Sequence, residues 1–273
     1  DRVLFSRRTL SGVQLRSIRP DGTGGRLALD RFDEQWAGRW SPDGSRIVFT
    51  TKVGPDYDTT EIWTADADGT RRRRVTRNDV LDWEPAWGPG DRLVWSRYTT
   101  SDEWRLMVAR GDGTRAHAIV RSDASPIYLP VWSPDGGWIA YSQWDGNDME
   151  IWLVRPDGSR RHRLTRTDNA NEYGGDFSPD GRVFVFPRFG FDSKHQLRIA
   201  SVDGAGSRIL ADLTGSVVPA GGVAFLPDGR RIAFDGAVEG EADIEIFVVP
   251  RAGGTPEQLT SNDAQDTLIL IAG

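Results

Sequence analysis

One short phrase recurs along this chain: Trp40-Ser41-Pro42-Asp43-Gly44, Trp87-Gly88-Pro89-Gly90, Trp132-Ser133-Pro134-Asp135-Gly136, Phe177-Ser178-Pro179-Asp180-Gly181 and Phe225-Leu226-Pro227-Asp228-Gly229. Its spacing of 45 to 48 residues is that of stacked supersecondary units, each too small to bury an apolar face alone. In each copy Pro fixes φ near −65° and Gly supplies positive φ, so the phrase reads as a turn between antiparallel strands. Residues 128–168 show a whole unit: an apolar run to Trp132, the turn, a strand from Trp138, a polar loop, a strand from Glu150, a second turn at Pro156-Asp157-Gly158 and a basic-apolar alternation from Arg161 to Thr165. Four antiparallel strands in about 45 residues form a β-propeller blade. Gly and Pro recur too often for any long helix.

The chain is therefore expected to be all-β and one domain over 1–273, a six-bladed β-propeller of four-stranded antiparallel blades at 36–78, 83–121, 128–168, 173–213 and 220–262, with one blade composed of 2–32 and 266–273. The N-terminal segment lacks a first strand, and Thr267 to Ile271 supplies it, closing the ring and covering its edges. Cysteine is absent, so no disulfide or thiolate chemistry arises. No apolar stretch reaches the roughly 18 residues of a membrane span. The sequence opens at Asp1 with no charged-then-apolar leader, and a soluble chain is expected. A net charge of −6 disfavours nucleic acid, and the Arg71–Arg74 run, with Arg160, Arg161 and Arg163, falls on outer strands where charge guards an edge.

The phrase, its following strand, Asp145-Gly146-Asn147-Asp148, Glu150-Ile151-Trp152 and the second turn together resemble the TolB-like six-bladed propeller repeat. Gly88, Gly90, Leu226 and residues 190–195 depart from that pattern. The resemblance implies an exported or periplasmic binding module; related propellers serve as accessory domains of peptidases and as polysaccharide lyases.

All tight turns share one face, so the other face gathers the within-blade loops 51–60, 97–103, 143–148, 188–195 and 235–243 and the connections between blades. Long loops on a rigid scaffold are where binding concentrates. Tyr57, Tyr98, Trp144, Phe189 and Phe191 are the expected partner-binding residues there. The connections carry acids, including Asp33, Glu34, Asp79, Asp123, Asp168 and Asp263, and Asp82, Glu172 and Asp266 are the expected metal ligands at the channel mouth, with Ca²⁺ as the ion. Like charges that close need a cation, a basic partner or an arginine, and Arg39 could answer Asp176 structurally. Trp36, Trp83, Tyr128 and Tyr173, four residues before the phrase aromatic, read as packing between blades. Asp145 to Glu150 has the oxygen content of a calcium loop but not its length.

His117 and His162 fall on outer strands and only His195 reaches the loop face, so a multi-histidine zinc site is not expected. No G-x-S-x-G, H-E-x-x-H or Walker sequence occurs. The leading expectation is a non-catalytic monomeric propeller that presents its loop face and acidic mouth to a protein or peptide. The alternative is a carbohydrate-active lyase using His195 with Tyr57 or Tyr98.

Overall fold

The computed structural model describes residues 3–9, 12–18, 23–29, 35–53, 59–123, 125–241 and 243–261. The order of strands follows the phrase. Three strands come first, β1 (Val3–Thr9), β2 (Gly12–Ile18) and β3 (Arg26–Leu27), followed by β4 (Gln35–Trp40), β5 (Arg46–Lys52), β6 (Thr60–Asp66) and β7 (Arg73–Arg74). Next come β8 (Leu81–Gly88), β9 (Arg92–Tyr98), β10 (Trp104–Arg110) and β11 (His117–Ser122), then β12 (Ile127–Trp132), β13 (Ile139–Trp144), β14 (Met149–Val154) and β15 (His162–Arg163). The chain continues with β16 (Ala170–Glu172), β17 (Asp176–Phe177), β18 (Val183–Gly190), β19 (His195–Ser201) and β20 (Ser207–Asp212). It ends with β21 (Val217–Phe225), β22 (Arg231–Val238), β23 (Ile244–Pro250) and β24 (Glu257–Gln258). Each group is an antiparallel meander in chain order, and a single parallel pair, Thr60 with Leu81, links β4–β7 to β8–β11. No helix occurs among the described residues.

The phrase folds as its residues require. Gly44 lies at φ +66° and donates its N–H to the Ser41 carbonyl at 2.8 Å. The Asp43 carboxylate accepts from the Ser41 hydroxyl at 2.6 Å and the Ser45 N–H at 3.0 Å. The same bonds recur at Ser133 and Asp135 and at Ser178 and Asp180.

Middle strands bury both faces. Along β5, Ile47 and Phe49 pack with Leu15, Ala28 and Leu29 of the preceding unit, whereas Val48 packs with Trp87, Leu93 and Trp95 of the following one. Period-two alternation thus sends successive side chains into opposite inter-unit cores, which is why these strands read as unbroken apolar runs. The pattern repeats: Tyr141 and Ile139 join β12–β15 to the unit before it, and Ala140, Ile151 and Leu153 join it to Phe177, Phe184 and Phe186 of the unit after it.

Gly88 stands where three of the other copies of the phrase have Ser, and its neighbour explains it. A Cβ there would come within 2.4 Å of the Trp132 indole of the next unit. Gly88→Ser, although it restores the repeated residue, is expected to destabilise the fold by about 1–3 kcal/mol through overpacking, read as a lower urea midpoint; an unchanged midpoint would show that Trp132 moves aside freely.

Strands run further than the sequence suggests. The loop expected at 188–195 shrinks to 191–194, and the one at 143–148 to 145–148. Cross-strand pairs such as Phe189 with His195 and Trp104 with Tyr98 carry the ladders into the loop face. The inner strand of the β16–β20 unit is split into β16 and β17 by Gly174 and Gly175 at φ +58° and +127°. The closing strand expected at 267–271 lies outside the described residues.

Candidate functional site

The inner strands begin on the loop face, and each of three consecutive units places an aromatic residue there: Trp83, Tyr128 and Tyr173. Trp83, Tyr98 and Trp104 come from the β8–β11 unit. Tyr98 and Trp104 sit opposite each other in the ladder with ring centroids 4.9 Å apart. Trp104 then meets Tyr128 of the next unit edge-on at 5.1 Å, and Trp83 lies 6.5 Å from Trp104 and 6.4 Å from Tyr128. Further round, Tyr173 meets Phe189 at 6.0 Å and Phe189 meets His195 at 6.1 Å. The Tyr128 hydroxyl is held above its usual range by burial first, then by the charge of Glu84 and by Tyr173. The rings therefore form two clusters, one of Trp83, Tyr98, Trp104 and Tyr128 and one of Tyr173, Phe189 and His195, set in an arc along three units, and all of them are half-buried rather than core. Tyr98 is further fixed by its hydroxyl, which donates to Asp102 at 2.6 Å.

Carboxylates adjoin these rings, Glu84 next to Trp83 and Glu172 next to Tyr173 in the chain. Glu84, in the left-handed region at φ +52°, accepts the Leu129 N–H at 2.7 Å, and Asp176 accepts the Phe225 N–H at 2.9 Å. Burial pushes Glu84 up to about 7 and Asp176 up to about 6 against the opposing pull of Arg39. The Arg39 guanidinium is lowered by burial and supported by Asp176 first and Glu84 second. The pairing of Arg39 with Asp176 suggested by the sequence is therefore a through-space attraction only: among the described residues no ion pair joins them, and Arg39 Nη1 is buried without a hydrogen-bond partner. Glu172 is buried with neither carboxyl oxygen hydrogen-bonded among the described residues, and its carboxyl is pushed up to about 7, by burial first and also by the charge of Glu150.

The residues singled out in the sequence fall into separate places. Tyr98 and Phe189 belong to the arc, and Phe191, 60% exposed, stands beside it on the 191–194 loop. Trp144 does not join them: it lines an outer cleft of about 400 Å³ with Arg121, Trp152, Arg161 and Arg163. Tyr57 and Asp266, with Asp33, Glu34 and Asp263, lie outside the described residues, as does the Trp36 side chain. Among the described residues no three acidic or histidine side chains converge on a point that could hold a metal ion. Asp82 is fully buried and saturated. It accepts a two-pronged bond from Arg97 at 2.6 and 2.8 Å, the Trp95 indole N–H at 2.8 Å and the Asn78 amide at 2.8 Å. Asp145 is bound by the N–H groups of Asn147 and Asp148 and by Arg163 at 2.5 Å, an Asx turn with an ion pair. Arg161, read as an edge guard, instead turns inward to the Tyr141 hydroxyl at 2.7 Å and lies 4.4 Å over Trp152. His195 and Tyr98, the pair of the lyase reading, sit in different ring clusters.

Trp104 was not anticipated, although the ladder could have revealed it: it begins the third strand opposite Tyr98. A second missed feature is a buried latch. Glu61, Glu150 and Glu245 each accept from a threonine hydroxyl fifteen residues later, Thr76, Thr165 and Thr260, and each of these threonines accepts the N–H of the isoleucine after the glutamate at 2.9 Å. Glu-Ile followed at that spacing by Thr is its sequence signal.

The family described as TolB beta propeller domain matches residues 92–268. The chain belongs to that family. A segment of 59 residues is 39% identical to the Tol-Pal system protein TolB of Anaeromyxobacter sp. (strain K), covering 22% of this chain and 13% of that relative. Solved structures share the fold. The TolB structure from Acinetobacter baumannii superposes with a TM-score of 0.72 at 16% identity, over 97% of this chain and 64% of that one. The oligogalacturonate lyase from Vibrio parahaemolyticus superposes with a TM-score of 0.67 at 13% identity, over 96% and 75% of the two chains.

Proposed function

We propose that this chain is a binding module of the cell envelope, periplasmic or secreted, whose loop face receives a protein or peptide partner. The observation that carries the reading is the arc of half-buried rings from Tyr98 to His195 alongside Glu84 and Asp176. Aromatic rings held by neighbours on a rigid sheet lose little conformational freedom on binding and serve as anchors. The half-buried carboxylates beside them favour a basic group on the partner. The partner is a protein of a Tol-Pal system, by likeness to the TolB relative. Tyr98, Phe189 and Phe191 are its direct contacts, Tyr57 extends them, and Trp144 marks the outer rim. A cation such as Ca²⁺ at the mouth would be held by Glu172 with Asp266, outside the carboxylate that Arg97 already occupies.

The test is calorimetric titration with the soluble proteins of the same cell's Tol-Pal system, with and without chelator. Tyr98→Ala combined with Phe191→Ala is expected to weaken binding at least tenfold with little change in thermal midpoint. Unchanged affinity would exclude this face.

The ring is proposed to have six blades, with strand 267–271 completing the sheet of β1–β3. Deleting 266–273 is then expected to lower the thermal midpoint by more than 10 °C, on the order of 3 kcal/mol or more for a domain of this size; a midpoint within 2 °C of the full chain would refute closure.

A further inference from the structure

The face of tight turns holds a cleft of about 880 Å³, between the β12–β15 and β16–β20 units and bordered by Arg251 of the β21–β24 unit. Its position follows from a break in a repeated strap. Arg46, Arg92, Trp138, Val183 and Arg231 each precede the residue that pairs back to the phrase aromatic. Arg46 reaches over Trp87 of the next unit at 4.4 Å and bonds Asp91 at 2.7 Å. Arg92 likewise lies over Trp132 at 4.3 Å and bonds the Gly136 carbonyl at 3.2 Å. At the third copy the strap is Trp138, which cannot bridge forward and is covered by Arg155 of its own unit at 4.0 Å. The joint that two arginines close elsewhere is left open.

The walls of the opening are basic. Arg155, Arg160, Arg182, Arg251 and His162 line it, against Asp180 and Asp203. Both acids are already engaged: Asp180 by the Ser178 hydroxyl at 2.5 Å, the Arg182 N–H and Arg251 at 3.3 Å, Asp203 by the Ser201 hydroxyl at 2.7 Å and the Ala205 N–H. Arg155 is anchored on Gly137 at 2.8 Å. The side chains of Arg160 and Arg182 are exposed and have no hydrogen bond or ion pair among the described residues.

We propose that this cleft binds a compact phosphoryl-bearing anion, gripped by Arg160 and Arg182 with Arg155 and Arg251 fixed behind them. Guanidinium forks match the paired oxygens of a phosphoryl group, and a chain of net charge −6 has no reason to concentrate unpaired arginines in one joint unless they are used. The site stands apart from the aromatic arc, on the opposite face.

The experiment is calorimetric titration of the full chain with inorganic pyrophosphate at low ionic strength, where exposed charges are least screened. Saturable binding is expected, weakened at least tenfold in Arg160→Gln/Arg182→Gln and preserved in Arg115→Gln/Arg166→Gln, which removes the same charge elsewhere. Absence of saturable binding, or equal loss in both double variants, would overturn the site and leave only a diffuse electrostatic attraction. A parallel arm with anionic phospholipid vesicles separates the sources of the phosphoryl group: pyrophosphate competing with vesicles supports one shared cleft, and vesicle binding insensitive to both pyrophosphate and the Arg160/Arg182 change counts against it.

Discussion

Asp82→Ala is expected to lower the unfolding free energy by about 3–5 kcal/mol, the cost of leaving a buried charge without its partner. The carboxylate is at 0% exposure and, among the described residues, is the only acceptor for the Arg97 fork and the Trp95 indole N–H, and it also receives the Asn78 amide. Removing it strands the Arg97 guanidinium, itself only 18% exposed, beside a tryptophan N–H with nowhere to turn. The loss should be the same in chelator and in millimolar calcium, because the oxygens are filled by protein donors. A metal ligand would behave oppositely: the variant would match the wild type in chelator and differ only when calcium is added. Replacing both partners, Asp82→Leu with Arg97→Met, should recover most of the loss, since a buried pair exchanged for apolar groups of similar volume is often neutral. Urea unfolding in both buffers decides it; a cost below about 1 kcal/mol in chelator would refute the structural reading.

Asp82 shows where sequence reasoning reached its limit. The turns were legible because their conformation is local: Pro42, Asp43 and Gly44 need only each other and Ser41. The strand order and the both-sides-buried core were legible because alternation is local too. Asp82 was read as an acid in a connection because nothing beside it in sequence neutralises it. Its partner, Arg97, is its cross-strand neighbour across a fifteen-residue hairpin. Register, which decides that pairing, depends on the bulge between Trp83 and Ala86, and no single residue announces it. The same ladder position pairs Glu172 with Arg188, yet Arg188 turns to the Lys194 carbonyl at 3.3 Å, so equivalent residues acquire different electrostatics. Tyr98 and Phe189 were found from their place on the loop face, whereas Trp144, with the same apparent place, faces an outer cleft because β13 runs on to include it. The cleft beneath Trp138 was invisible for a related reason: a missing arginine is a signal only when the straps at Arg46 and Arg92 are known to exist.

Glu84, Asp176 and Glu172 give the protein a pH dependence opposite to that of most folded domains, and its sign follows from their burial. Glu84 is raised from 4.5 to about 7 and Asp176 from 3.8 to about 6, and Glu172 is also raised. Between the unfolded and folded values the native state therefore holds more protons than the unfolded chain, so stability decreases as pH rises. The contribution is fully present below about pH 4, is lost through the window up to about 7, and is flat above it. Each proton held in excess by the native state gives a slope of about −1.4 kcal/mol per pH unit. The turn aspartates act elsewhere: Asp43, held at about 2 chiefly by the Ser41 hydroxyl, opposes this only at more acidic pH. Thermal midpoints at constant ionic strength should therefore be highest near pH 5 and fall towards pH 7.5. Arg39→Met tests the cause, since Arg39 is the one group that pulls both Glu84 and Asp176 downward. Without it both carboxyls rise further, so the variant should lose little at pH 5 and progressively more above pH 7, where wild-type stability has levelled off. A loss independent of pH would mean that Arg39 contributes packing alone. A wild-type midpoint that rises from pH 5 to 7.5 would mean that Glu84, Asp176 and Glu172 are already ionised throughout, and the assignment of their raised values to burial would fail.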